Sequence, residues 1–254
     1  LRSLWATVLL SWQNSREPSS LFRRRRLREQ LPLSPRLVLT TTAILLIGGA
    51  FVYWLLESVG ARSDQSFGTR VADAWFQSVT FRTAGFNTVE HGDLNPATKL
   101  FSIGLMFIGA SPGSTGGGIK TVALAIMVLS LIAILRGRNH VECYGRMIPE
   151  DQVRYAFVIV AMGLAATMTS TLLLTMFEAE SFSFLDIMYE ATSAFATVGV
   201  STGITGYLTP ASQLVVAATM FLGRVGPLTL LIALAGTSRT TSQYQYPQER
   251  VSLG

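Results

Sequence analysis

Two glycine-centred segments carry the chemistry open to this sequence. Thr83-Ala84-Gly85-Phe86-Asn87 returns 114 residues later as Thr197-Val198-Gly199-Val200-Ser201, and the register persists well beyond them: Pro96 falls on Pro210, Phe107 on Phe221 and Gly109 on Gly223. A Thr-x-Gly loop written twice between apolar stretches suits the binding of a dehydrated monovalent cation. Converging backbone carbonyls replace a hydration shell more evenly than side chains do. Gly85 and Gly199 can take the backbone angles that turn successive carbonyls toward one axis. A half-helix before each loop would aim the partial negative charge of its carbonyl end at the same axis. The plainer alternative is a glycine turning the chain at a helix end, and the in-register extension of the repeat argues against it.

A second constellation, Ser111-Pro112-Gly113-Ser114-Thr115-Gly116-Gly117-Gly118, interrupts an apolar run and is followed closely by Lys120. Irregular backbone at membrane depth is tolerated only where it lines water or is enclosed by protein. A charge at that depth costs about 2.5–3.5 kcal/mol on insertion scales and is usually functional. The expectation is a movable gate made of Ser111, Gly113, Ser114, Thr115, Gly116, Gly117 and Gly118 with Lys120; a kinked helix with a loose polar break is the alternative. The segment invites comparison with a phosphate-binding loop, but Ile119 separates Gly118 from Lys120 and the spacing fails.

Arg224 is the one charge in the apolar run 214–235, and its counterpart in the other copy is Ala110. Facing a pore below the filter it would set a barrier to ion occupancy; pairing with a carboxylate or with loop carbonyls is the structural alternative. Arg82 is expected to pair with a carboxylate. His91 and His140 lack ligand spacing and receive no role. Cys143 is the single cysteine, which excludes an internal disulfide and a thiolate metal cluster.

The elements that must position these residues follow from hydrophobic length. Residues 37–56 and 153–177 are long enough to span a bilayer. Residues 71–81 and 184–196 read as helices too short to cross, each delivering the chain to a glycine loop. Pro96 and Pro210 stand at favoured helix-start positions. Residues 97–110 and 121–135 are two apolar pieces around the Gly/Ser break, and a last helix runs from Pro210 to about Ala235. Each unit is thus helix, re-entrant half-helix with loop, helix. The expected divisions are a connector with a basic block over 1–36, a first unit over 37–136, a loop over 137–152, a second unit over 153–236 and a tail over 237–254. Because the chain begins with Leu1, it is expected to start inside a longer protein.

Composition agrees with a membrane setting. Charged residues are 14% of the chain, against about 25% in an average soluble domain, and mean hydropathy is +0.41. The pI of 9.7 is no sign of nucleic acid, since the arginines cluster at the ends of apolar runs. Fourteen lie in 1–36, 136–154 and 237–254, and only Arg62, Arg70 and Arg82 in the two glycine-loop regions 57–95 and 178–209. The positive-inside rule therefore predicts loops outward and both ends cytoplasmic. Glu57, Asp64, Asp73, Glu90, Asp93, Glu178, Glu180, Asp186 and Glu190 fall in the outward regions; they could form an acidic mouth that concentrates cations, or simply solvate loops.

The whole pattern resembles the Trk/Ktr/HKT superfamily of potassium transporters. Residues 78–87 and 192–201 look like its third and fourth pore loops, residues 111–121 like its intramembrane gating loop, and Gly223-Arg224-Val225-Gly226-Pro227 like its last repeat helix. Tyr246-Pro247-Gln248-Glu249-Arg250-Val251 is similar to the bacterial Ktr-type C-terminus. The resemblance covers about residues 37–254 and lacks the first two repeats. It implies an all-α membrane protein with two of the four helix–pore-loop–helix repeats of a pseudo-fourfold, potassium-channel-like architecture. It further implies K⁺ uptake across the bacterial inner membrane, Na⁺ as a coupling ion, K⁺ at the filter as the only metal, no bound cofactor and no nucleic acid. The implied partners are the missing repeats, a second copy in a homodimer, cytosolic nucleotide-binding regulatory subunits and the lipid bilayer. A membrane-embedded nucleotide-handling enzyme using residues 113–120, or a non-conducting scaffold, would be the rival readings.

Overall fold

The computed structural model describes residues 32–58, 66–138, 140–178 and 180–226. The basic block Arg23–Arg26 with Arg28, the apolar start 1–12, Arg62, Asp64 and everything from Pro227 onward, including Arg239, Arg250 and the expected end of the last helix, lie outside them.

The regular structure of the described residues is helical except for one small hairpin and an isolated bridge between Ile108 and Ile119. Helix α1 is Leu33–Ser58, α2 Phe67–Thr80, α3 Pro96–Phe107, α4 Thr121–Leu135, α5 Glu150–Glu178, α6 Phe184–Ala196 and α7 Pro210–Val225. Strands β1 (Glu142–Cys143) and β2 (Arg146–Met147) pair antiparallel between α4 and α5. Two helices, α1 and α5, are long and apolar enough to cross a membrane, with 26 and 29 residues. Helices α3 and α4 are two halves of a broken third, about 18 Å and 22 Å long at 1.5 Å per residue.

The helix starts follow local chemistry. Asn95 Oδ1 accepts the Ala97 N–H ahead of Pro96, and Thr209 Oγ1 accepts the Ser212 N–H ahead of Pro210. Both caps are also tied to the helix that opens their unit. Buried Glu57, in the last turn of α1, accepts the Asn95 N–H at 3.4 Å. Buried Glu178, the last residue of α5, accepts the N–H and the hydroxyl of Thr209, each at 2.8 Å. Each unit is therefore closed by a carboxylate that reaches from the end of its first helix to the start of its last.

The two units share their interior. One buried cluster joins Tyr53, Phe81, Val89 and Met106 of the first unit to Tyr189, Val198 and Val200 of the second. Helix α3 packs on α6, and α5 packs on α4, α6 and α7. Lys99 of α3 pairs with Asp186 of α6 at 2.8 Å, with both side chains largely covered.

Several boundaries move from the expected ones. Helix α3 stops at Phe107, three residues early, because Ile108 turns out of the helix to bridge Ile119. Helix α7 ends at Val225, where Gly226 takes a φ of +87°. Arg224 therefore sits in a last turn and not in mid-helix.

Candidate functional site: paired glycine loops and a docked segment

Each glycine loop is built from the C-terminal end of a short helix. Helix α6 closes with Thr197 in the left-handed region (φ 52°, ψ 41°), and Val198 N–H reaches back to the Ser193 carbonyl at 2.9 Å. After α2, Thr83 has φ 72°. Gly85 and Gly199 follow at φ 78° and 91°, a region costly for residues with a Cβ. The loops touch. A Cβ at Gly85 would run into the Val198 carbonyl oxygen, and one at Gly199 would lie 3.7 Å from Gly85 Cα.

Hydroxyls on the short helices hold the far ends of both loops. Thr80 Oγ1 donates to the Phe86 carbonyl at 2.6 Å and accepts the Phe86 N–H at 2.9 Å. Ser193 Oγ donates to the Val200 carbonyl at 2.6 Å. The carbonyls of Phe86 and Val200, expected to face ions, are thus engaged by the protein. The loops meet around residues 83–85 and 197–199, and each engaged carbonyl keeps a second lone pair, so 83–87 and 197–201 remain the ion-facing candidates. Asn87 is exposed, while Ser201 donates to Glu190 behind the second loop. Buried Glu190 also accepts the Thr202 N–H at 3.0 Å and the Thr205 hydroxyl at 2.9 Å.

The Gly/Ser segment lies directly against these loops. Ile119 N–H bonds the Phe107 carbonyl at 3.2 Å and Thr121 N–H the Ala110 carbonyl at 3.4 Å, so the segment leaves and re-enters the bundle at one neck. Gly117 N–H donates to Thr197 Oγ1 at 2.7 Å. A Cβ at Gly116 would lie 2.7 Å from Thr83 Oγ1, and one at Gly117 would lie 2.8 Å from the Thr197 side chain. Only glycine lets the backbone come this close to both threonines. Lys120 Nζ donates to the Gly116 carbonyl at 2.6 Å, and Arg224 is near enough for its charge to act on Lys120. The other half of the expected gate behaves differently: Pro112, Gly113, Ser114 and Thr115 are exposed, with Ser114 folded back on the Ser111 carbonyl at 2.7 Å. Gly116, Gly117 and Gly118 make the docked tip.

This geometry opposes a phosphate cradle. The Gly117 N–H is spent on Thr197 and the Lys120 ammonium on Gly116, so the donors such a loop needs are taken.

Comparison with known proteins agrees with the geometry. The sequence matches the family described as TrkH, cation transport protein, over residues 4–243. The chain belongs to that family. It is an integral, multi-pass membrane protein of a transport family and not an enzyme. It is 33% identical over 230 residues to the potassium/sodium uptake protein NtpJ of Enterococcus hirae, covering 89% of this chain and 51% of that protein. It is 35% identical over 227 residues to Ktr system potassium uptake protein D of Bacillus subtilis, covering 89% and 50%. The chain thus spans about half the length of the curated relatives it matches. The crystal structure of the potassium transporter TrkH from Vibrio parahaemolyticus superposes with a TM-score of 0.65 at 22% identity, over 77% of this chain and 43% of that one, and shares the fold.

Two expectations for side chains need correcting. Arg82 has no carboxylate partner among the described residues; its Nε is buried without a hydrogen bond. Glu57, Glu178, Asp186 and Glu190 do not line an acidic mouth, because each is covered and engaged by its own donors. Glu90, Asp93 and Glu180 are exposed. The residue that sequence reasoning passed over is His91. It is 1% exposed and hydrogen-bonded to both units. Nothing in its sequence context marks it, since both partners are distant in the chain.

Proposed function

We propose that this chain forms half of a potassium uptake pathway in the plasma membrane. K⁺ is the substrate, with Na⁺ as coupling ion, and no other cofactor is used. Ions shed water into carbonyls of residues 83–87 and 197–201 and then meet the segment tipped by Gly116 and Gly117. The observation that carries this reading is the contact of that tip with Thr83 and Thr197, the threonines that open the two glycine loops. In this reading a backbone plug hydrogen-bonded to the filter obstructs the path an ion would take out of it, and the contact supports a closed gate. Lys120 stiffens the tip through Gly116, and Arg224 places a second positive charge beside it, which disfavours cation occupancy below the filter.

The whole pore needs two further repeats from the remainder of the protein. A second copy in a homodimer and cytosolic nucleotide-binding regulatory subunits complete the proposal; likeness to proteins named as parts of a Ktr system supports action within a system of partners.

The test is K⁺ uptake by the full-length protein in cells lacking other K⁺ uptake. Deleting residues 113–118 should raise K⁺ flux above wild type. A folded deletion variant with equal or lower flux would show that the segment is no barrier. A wild-type protein that carries no K⁺ would end the transport reading itself.

A further inference from the structure

His91 lies four residues beyond the first glycine loop, in a single 3₁₀ turn (His91–Asp93). Its ring is enclosed on every side. Tyr189 Oη lies 2.7 Å from Nδ1, and Gln77 Oε1 lies 3.1 Å from Nε2. Gln77 in turn donates from Nε2 to Thr88 Oγ1 at 3.1 Å. Phe81, the residue that caps α2, packs against the imidazole at 5.4 Å between ring centres, and Tyr189 at 5.8 Å. Gln77, Phe81 and Tyr189 are fully buried.

The donors and acceptors run in one direction. With the ring neutral and protonated at Nε2, the Tyr189 hydroxyl donates to Nδ1, the Nε2–H donates to Gln77, and the Gln77 amide donates to Thr88, in one continuous chain. The chain begins on α6, the short helix of the second unit. It ends one residue past Asn87, at the exit of the first unit's glycine loop. It therefore spans the seam between the two loops that meet at Gly85 and Val198.

The repeat does not explain it. The positions equivalent to Gln77 and His91 in the second unit are Ala191 and Thr205, and Thr205 serves Glu190 instead. The equivalent of Tyr189 in the first unit is Trp75, which is exposed. The two units thus hold their loop exits by different means: a Tyr–His–Gln–Thr relay that crosses the seam, and a carboxylate that stays within its own unit.

We infer that His91 is a positioning residue for ion selection, setting the spacing of the first glycine loop against the second through Tyr189 and Gln77. The inference rests on the proposed filter role of these loops. Discrimination between K⁺ and Na⁺ needs carbonyls held in place by packed, hydrogen-bonded neighbours, because supporting shells fix a site to within about 0.5 Å. A buried relay anchored in both short helices supplies such support. A loop held from its own unit alone could drift relative to the other.

The experiment uses the full-length protein in purified vesicles and reads the K⁺/Na⁺ flux ratio together with the amount of protein inserted. Tyr189→Phe removes one hydroxyl and keeps the ring. His91→Phe keeps a ring and removes both nitrogens. Both should lower the ratio by about two- to tenfold, the factor one hydrogen bond can carry. His91→Asn, which restores an acceptor near the position of Nδ1, should recover part of the loss. The double variant His91→Phe/Tyr189→Phe should be no less selective than His91→Phe alone, because the hydroxyl then has no partner to lose. A wild-type ratio in either single variant overturns the inference. So does a fall in inserted protein with an unchanged ratio per molecule, which would make His91 a stability residue only. Absence of K⁺ flux in the wild type would instead overturn the transport reading on which this rests.

Discussion

At the scale of single residues, the glycines of the two loops are not equivalent, although the sequence writes them alike. Both sit at positive φ, where a residue with a Cβ loses about 1–2 kcal/mol. Gly85 alone also faces the Val198 carbonyl oxygen at a distance no Cβ could occupy, whereas Gly199 has room. Gly85→Ser and Gly199→Ser should both lower K⁺ preference over Na⁺, and Gly85→Ser should in addition melt at a lower temperature than Gly199→Ser when unfolding is followed in detergent. Equal melting points would mean that the loops are not in contact. Glu178 is a second case. A buried carboxylate that accepts an N–H and a hydroxyl from one cap residue makes charge-assisted bonds. Glu178→Ala should cost about 1.5–3 kcal/mol of stability, measured by denaturant unfolding, with ion preference unchanged in the molecules that remain folded.

At the scale of elements, length and apolarity placed the helices well. Helix α6 runs over the expected 184–196 and α4 over 121–135, because their ends are set by local residues: Ser183 before the first, the Gly-rich break before the second. What escaped the sequence is whatever is held by partners far along the chain. Glu57 and Glu178 do the same work in the two units, yet they stand 121 residues apart while their partners Asn95 and Thr209 stand 114 apart. The first unit has a longer passage between its opening helix and its short helix, so the in-register comparison slides past the carboxylates. The hydroxyls of Thr80 and Ser193 on the Phe86 and Val200 carbonyls escaped for a related reason: a Thr-x-Gly pattern shows which residues turn, not which carbonyl a neighbouring hydroxyl captures. The docked tip yields its own prediction. Lys120→Met removes the ammonium that holds the Gly116 carbonyl and should loosen the tip, raising K⁺ flux in the full-length protein, though by less than deletion of 113–118. Flux unchanged from wild type would assign Lys120 to packing.

At the scale of the molecule, the proposed function makes the described residues one side of a pore. Trp75, Phe76 and Val79 of α2 remain exposed, an apolar face that the proposed preceding repeat would cover. The arginine distribution predicts an orientation for the whole, with the glycine loops outward and the β1–β2 hairpin and Arg138 inward. With Cys143 first replaced by serine, single cysteines at Glu180 and Arg138, both exposed, should react with a membrane-impermeant thiol reagent from opposite faces of sealed vesicles. Reaction from the same face would overturn the topology.

Thr197 takes part in two events at once. Its backbone begins the second glycine loop and its hydroxyl receives the docked tip. If the proposed function holds, ion binding above and tip docking below are linked equilibria, and linkage is reciprocal: the factor by which a filled filter weakens docking equals the factor by which docking weakens ion affinity. External K⁺ would in that case act as an agonist of its own entry. Removing the tip should raise the apparent K⁺ affinity as well as the maximal rate, and should flatten any sigmoidal dependence of uptake on K⁺ into a simple hyperbola.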